Sequence, residues 1–511
     1  MSRRKRVYVA SYKGRRYPAW LKAIAALVLA GVLSFCALLG AVLYGSYDHI
    51  TGEPQVMVIL GCQAVSYTHL LDTPILRVET DSRTIHSGSL FIPLVGERFD
   101  GHAYINAALE GGAVGCLTAR ERESYRPDRF YVKVSGTQRA LRDLAAWYKA
   151  RFDIPFLAVT GSVGKTTAKD MLAAVLGVKY RVLKTEGNFN NNVGLPLTLL
   201  RLDRSYDLCV VEMGMDKLGE IDYLADIVRP DVGVITNIGD AHIERLGSRE
   251  NIFKAKCELL PYIKKDGLLI LNGDDPMLAT LRGKTAVRTV FCGTGEGLEY
   301  RAQVVGGDGV SHIRCRMTTP RMDREVRIPA LGEHMVYPAL VAAAAGEWFG
   351  LTPEELEQGL TRFVPTRMRM NILRRAEGIT ILDDTYNANP QSMRAAISVL
   401  ADGRSGWKAA VLGDMFELGP FSPALHTGVG ECLGKAGVNC LVAVGEQAAY
   451  IAQGARESGV PEVYHCPDKK AARSVLPQLV RPDSTILVKA SRGMKLEELT
   501  ACLLELTSED K

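Results

Sequence analysis

FLAVTGSVGKTTAKDMLAAVL, residues Phe156–Leu176, decides how the rest of this chain is read. Phe156-Leu157-Ala158-Val159 is a short apolar run that suits a buried parallel strand, and Met171, Leu172, Val175 and Leu176 recur at helical spacing before Gly177. Between strand and helix lies Thr160-Gly161-Ser162-Val163-Gly164-Lys165-Thr166-Thr167. Glycines let a backbone close around a phosphate with its N–H groups turned inward, and the helix that follows adds its positive end. In such a loop Lys165 reaches terminal phosphates and the Thr166 hydroxyl a magnesium ion. The match to G-x-x-x-x-G-K-[ST] is incomplete, because Val159 stands where the first glycine belongs. The strand-loop-helix setting still predicts nucleotide binding.

Bulk properties narrow the class. A chain of 511 residues, 47% hydrophobic and 23% charged, suits about three globular domains. Residues 1–47 hold eight of the basic groups and no acid, so a net charge of +5 falls to −3 beyond them. The globular part therefore lacks the basic excess of a nucleic-acid binder. Eleven cysteines without a C-x-x-C pair provide neither a disulfide framework nor a zinc signature, which suits a reducing compartment.

Outward from the loop, polar residues collect at strand ends. Leu208-Cys209-Val210-Val211 ends in Glu212, and Val232–Asn237 runs into Ile238-Gly239-Asp240-Ala241-His242. Open α/β sheets place ligand groups at such ends. Glu212 and His242 are thus candidate magnesium or phosphate contacts, although a histidine after a strand is more often an ordinary loop residue. Leu268–Leu271 ends at Asn272, a candidate for an adenine edge. Lys254 and Lys256 follow on a predicted helix, where solvated lysines are the plain reading. Asn188, Asn190, Asn191 and Asn192 form either a solvated turn or a set of amides facing a polar ligand. Near the start, Ser82 and Arg83 offer a hydroxyl and a planar fork to a phosphate or uracil edge. From about Thr366 the βα rhythm restarts, with strand-like runs at Ile379–Leu382, Ala409–Leu412, Cys440–Val444 and Ile486–Val488.

Taken together, these segments resemble the Mur ligase family from about Glu79 to the C-terminus, and within it the branch that adds D-alanyl-D-alanine to UDP-N-acetylmuramoyl-tripeptide. The resemblance is carried by TDSR (Thr80–Arg83) with FDGH (Phe99–His102), TGSVGKTT, GNFNNNVGLP and VVEMGM, and by Asp383–Pro390 with Gly413–Gly419. It implies an α/β fold of three domains: a small mixed α/β domain over 75–153, a central P-loop ATPase-like domain over 154–364 and a Rossmann-like domain over 365–511. It implies an ATP- and Mg2+-dependent amide ligase of peptidoglycan precursor synthesis, cytoplasmic and monomeric, working through an acyl phosphate. Gly161 to Thr167, Asn272, Arg367 and Asp384 are then expected to hold ATP, with Thr166, Glu212 and His242 on the metal. Lys165, Glu212, His242 and Lys256 are the catalytic set, Lys256 falling where related ligases carry a carbamylated lysine. Ser82, Arg83 and Asn192 are expected at the substrate. Met335 and Pro338 depart from the family, which often has asparagines there. The rival readings are a folylpolyglutamate-type ligase and a non-catalytic, membrane-anchored nucleotide-binding protein.

The first 74 residues do not fit this picture. Ala23–Tyr44 runs 22 residues without a charge, enough for one transmembrane helix, and the basic cluster before it predicts a cytoplasmic N-terminus. That orientation puts the ATP site outside the membrane. Residues 1–64 resemble the opening of a SanA/YdcF-type membrane-anchored protein, and Gln63–Leu71 resembles translated adapter sequence. The expectation is a chimeric junction near 63–74 and a first domain lacking its first strand.

Overall fold

The computed structural model describes residues 63–66 and 73–507. The span expected at Ala23–Tyr44 lies outside them, as does most of the expected junction. Among the described residues no helix is long and apolar enough to cross a membrane. The chain divides into two compact units between Tyr148 and Lys149, each with its own core.

The first unit carries a five-stranded sheet, β1 (Gln63–Ser66), β2 (Arg77–Glu79), β3 (Ser89–Phe91), β4 (Gly115–Thr118) and β5 (Phe130–Lys133), in the order β1-β5-β4-β3-β2. The backbone of β1, in the adapter-like stretch, pairs antiparallel with β5 at the sheet edge. Phe91, Ile105, Leu109, Cys116 and Tyr131 close a small core beneath the helix Ile105–Glu110.

The second unit holds two sheets. The larger one has nine strands: β6 (Phe156–Thr160), β7 (Val182–Lys184), β8 (Leu208–Glu212), β9 (Val232–Ile235), β10 (Leu268–Asn272), β11 (Arg288–Gly293), β12 (Tyr300–Gly307), β13 (Ile313–Thr318) and β14 (Asp323–Ile328). Their order is β14-β13-β12-β11-β10-β9-β6-β8-β7. Strands β6 to β12 run parallel, and all five residues of β6 and of β8 are buried. Buried on both faces, they read as continuous apolar runs, as parallel strands do. The antiparallel turn of β12 to β14 was not expected from sequence. Its strands alternate buried apolar with exposed charged residues, Cys315 against Arg314 and Arg316, because only one face is covered.

Helix α1 (Lys165–Leu176) follows β6 and buries Met171, Leu172, Val175 and Leu176, as its spacing predicts. It lies in one core with α2 (Val336–Trp348) and α3 (Pro353–Thr361). Alanines at 339, 342, 343 and 345 are all buried, which lets α2 come close. Gly359 of α3 does the same, since a Cβ there meets the Val175 backbone at 2.4 Å. Each large apolar side chain withdrawn from water stabilises the fold by about 1.5–3 kcal/mol.

The second sheet is β15 (Asn371–Arg374), β16 (Thr380–Asp383), β17 (Trp407–Gly413), β18 (Cys440–Val444), β19 (Glu462–Cys466) and β20 (Ser484–Lys489), in the order β15-β16-β20-β17-β18-β19. All pairings but β15–β16 are parallel. Four of these strands match expected runs; β19, a half-exposed edge, did not announce itself.

A buried charge cluster ties α1 to the segment entering this sheet. Asp170 accepts from Lys184 Nζ at 2.7 Å and from the Thr366 hydroxyl, while the neighbouring buried Lys169 lies 3.3 Å from it. Removing one member of a buried ionic cluster leaves the rest uncompensated. Asp170→Ala is expected to destabilise the second unit by about 3 kcal/mol, read as a lowered urea midpoint by circular dichroism; an unchanged midpoint refutes this role.

Candidate active site

Strand β6 lies between β9 and β8, where the strand order reverses, so a crevice opens at its carboxyl end. The turn leaving it is held from the tip of β9. Val163 N–H donates to Asn237 Oδ1 at 2.9 Å, and the Val163 carbonyl accepts from Asn237 Nδ2 at 2.9 Å and Thr236 Oγ1 at 2.6 Å. Ser162 N–H donates to the Asn237 carbonyl at 3.0 Å, and Ser162 Oγ accepts from Gly239 N–H at 2.9 Å. Gly161 is obligatory here: its φ is +147°, and a Cβ would stand 1.9 Å from Thr236 Oγ1. Gly164, at φ +82°, precedes α1, whose first-turn N–H groups have no intrahelical acceptor. Lys165 donates to the Gly161 carbonyl at 2.9 Å. Burial lowers its pKa, and the Glu212 carboxylate pulls the other way.

Glu212, at the end of β8, is 2% exposed. Its Oε1 accepts from Asn190 Nδ2 at 2.8 Å, whereas Oε2 is buried without a partner. A buried carboxylate oxygen left so is costly unless a cation or donor satisfies it. With the Thr166 hydroxyl, in the first turn of α1, the donors would be hard oxygens, which fit Mg2+. Lys256, also 2% exposed, has no hydrogen-bond or ion-pair partner among the described residues. Burial holds its pKa well below the usual lysine range, and the charge of Lys165 acts in the same direction. A lowered pKa favours the free amine, the nucleophilic form, which fits the modification expected there.

His242 sits in the left-handed region, at φ +63°. Its Nδ1 lies 2.5 Å from Glu417 Oε2, a group of the second sheet, and 3.3 Å from Asp216 Oδ1. The three could together hold a cation. Glu212 and His242, expected as one metal pair, thus have separate protein partners. The hydrogen bond from His242 holds the Glu417 carboxyl below its ordinary range.

The segment joining the two sheets brings an arginine that sequence reasoning missed. Arg369 Nη2 donates to Thr166 Oγ1 at 3.3 Å, and its guanidinium lies 4.0 Å from the centre of the Tyr386 ring. Met368 and Met370 on either side both have positive φ, 63° and 51°. Arg367, the arginine expected at the nucleotide, is exposed. The signal that separates the two, the strained backbone around Arg369, is invisible in sequence. Asp384 accepts from Lys489 Nζ at 2.6 Å and from Met370 N–H at 3.2 Å, so it braces the same hinge. Asn192 is exposed; the amide that reaches Glu212 is Asn190, while Asn191 accepts from the N–H groups of Val193 and Gly194. Asn272 Oδ1 accepts from Asp274 N–H at 3.0 Å. In the first unit Ser82 is half-buried, and Arg83 forks onto Asp81 at 2.6–3.1 Å, holding that carboxyl down at about 2.

Known proteins are similar to this chain in sequence and fold. Residues 74–149 match the Mur ligase family catalytic domain, 159–346 the Mur ligase middle domain and 368–492 the Mur ligase glutamate ligase domain. The UDP-N-acetylmuramoyl-tripeptide--D-alanyl-D-alanine ligase of Bacillus subtilis (strain 168) is 40% identical over 85% of this chain and 94% of its own. Among solved structures, MurF from Acinetobacter baumannii superposes with a TM-score of 0.78 at 33% identity, over 84% of this chain and 94% of that one. MurF ligase from Thermotoga maritima in complex with ADP does so at 0.75 and 27%, over 84% and 97%.

Two arginine variants weigh the structure against the expectation. Arg369→Ala should weaken binding of a magnesium-nucleotide complex about tenfold, the loss of one charge-assisted contact, and Arg367→Ala should leave it within about twofold. Calorimetric titration with an ATP analogue measures both, and the reverse ranking restores Arg367.

Proposed function

The chain belongs to the Mur ligase family, and from that membership we propose that it joins D-alanyl-D-alanine to UDP-N-acetylmuramoyl-tripeptide using ATP. The observation that carries this reading is the clamped turn bearing Lys165, set against a buried Glu212 whose outer oxygen has no partner. A 40% identical relative named for that reaction supports the substrate choice.

A carboxylate resists attack by an amine, because it is anionic and hydroxide leaves poorly. Transfer of the γ-phosphoryl group of ATP onto the tripeptide carboxylate breaks the bond to ADP and makes an acyl phosphate. The D-alanyl-D-alanine amine then adds to the carbonyl carbon, and phosphate departs with the electrons of the C–O bond. Most of the protein's task is positioning and charge neutralisation. The N–H groups at the start of α1, Lys165 to Thr167, cradle the phosphates, and the Lys165 side chain leaves the Gly161 carbonyl for the terminal phosphate. Arg369, in place of Arg367, supplies a second cation to the same end of the nucleotide. Thr166, Glu212 and His242 would hold Mg2+, which supplies neutralisation of phosphate charge when bound. Lys256 as a carbamate would add an anion to that set, and Asn190 keeps the Glu212 carboxylate aimed. Docking of the β15–β20 sheet over the site keeps water from the acyl phosphate. Such substrates place the ligase part in the cytoplasm.

Phosphate release from the purified protein should require both UDP-tripeptide and D-alanyl-D-alanine, and Lys165→Ala should abolish it; release that persists in that variant, or without either acceptor, defeats the assignment. For Lys256, 13C-bicarbonate should produce a carbamate resonance in the wild-type protein that Lys256→Ala lacks, with turnover lost alongside. A spectrum without that resonance removes the modification and leaves the ligase reading in place.

A further inference from the structure

The Gly413–Gly419 segment, GDMFELG, has no task in the reaction as described above. Three successive residues pin it to the helices and the strand-end loop packed around its own sheet. Asp414 accepts from Ala448 N–H at 2.7 Å, Met415 N–H donates to His426 Nε2 at 2.9 Å, and Phe416 N–H donates to Ser491 Oγ at 2.8 Å. The next residue, Glu417, is turned out at φ +61°, a conformation that a side chain disfavours. Its carbonyl accepts from Glu244 N–H at 3.2 Å, and its Oε2 reaches His242 Nδ1 at 2.5 Å. His242 is itself at φ +63°, so two backbones held in a disfavoured region, one beside each sheet of the second unit, meet side chain to side chain.

We propose that Glu417 is a positioning residue, carried by the β15–β20 sheet, which fixes the imidazole of His242 when the two sheets dock. A carboxylate can only accept, so a ring proton is drawn to Nδ1 and Nε2 is the nitrogen left to offer a lone pair. Carboxylates that hold a ligating histidine in one tautomer act in this way. Asp216 is a poorer substitute, 3.3 Å from Nδ1 with its other oxygen 3.0 Å from Arg245. His242 therefore becomes competent only in the docked state, and the reactive acyl phosphate forms only where water is already displaced. This rests on the reading that His242 serves the magnesium-nucleotide site.

The test uses the full chain, its Glu417→Ala, Glu417→Gln and His242→Ala variants, and the double variant. Without nucleotide, 15N spectra of labelled histidine should show His242 as the Nδ1–H tautomer, with Glu417→Ala giving a mixture. Glu417→Gln, whose amide oxygen still accepts, should keep most of the preference. Binding of a non-hydrolysable ATP analogue with Mg2+ should weaken about 10- to 100-fold in Glu417→Ala, and the double variant should bind no worse than His242→Ala alone. Additive losses, or a tautomer unchanged in Glu417→Ala, overturn the proposal. Should Glu417→Ala fail to fold, Glu417→Asp, one methylene short, is expected to lose the preference by the same logic. If His242→Ala leaves nucleotide affinity intact, the assignment of His242 to the metal site fails instead, and the tautomer still judges Glu417.

Discussion

The site depends on the hydrogen bonds that close the turn after β6 onto the tip of β9. Thr236 and Asn237 take up both the carbonyl and the N–H of Val163, and Gly239 takes up the Ser162 hydroxyl. These bonds commit one side of the loop to the protein, and what remains for a ligand is the start of α1. A turn held this way needs little reorganisation on meeting an anion, which is where electrostatic stabilisation gains its strength. The same close approach explains why position 161 can carry no side chain.

Around that turn, charged groups are drawn in from water. Glu212 and Lys256 are buried and Lys165 is half-buried, and each departs from what a solvated surface group does: one ammonium sits on its own loop, one carboxylate oxygen has no partner, and one amine has its pKa pushed down. Such an arrangement is poor for stability and useful for chemistry. The buried Asp170 cluster and the closely packed α1, α2 and α3 offset it by making the scaffold beneath rigid.

Backbone strain follows the seam between the two sheets. Of eight non-glycine residues with positive φ among those described, His242, Met368, Met370 and Glu417 lie where the β15–β20 sheet meets the larger one. Strain of this kind persists only where surrounding contacts over-determine it, and here those contacts are Asp384 on Met370 N–H, Asn371 on Met368 N–H and the pinned backbone before Glu417. The outcome is one arginine and one glutamate delivered across the seam.

The glycine turn between β6 and α1, the parallel strands and the strand-end positions of Glu212 and Asn272 were legible in the sequence. They rest on local patterns: apolar runs four or five residues long, glycines at fixed offsets and helical spacing after them. The β12 to β14 turn and the edge strand β19 were not, because half-covered strands carry polar residues that read as loop: Arg314 and Arg316 alternate with buried residues in β13, and β19 holds Glu462 and His465. Choices between near neighbours were also beyond reach. Arg369 rather than Arg367 meets Thr166, Asn190 rather than Asn192 meets Glu212, and His242 finds Glu417, 175 residues away. Within one short segment the residue types are interchangeable on paper. What separates them is the direction each backbone takes, and that is set by hydrogen bonds to elements far off in the chain, which exist only once the sheets have formed and docked.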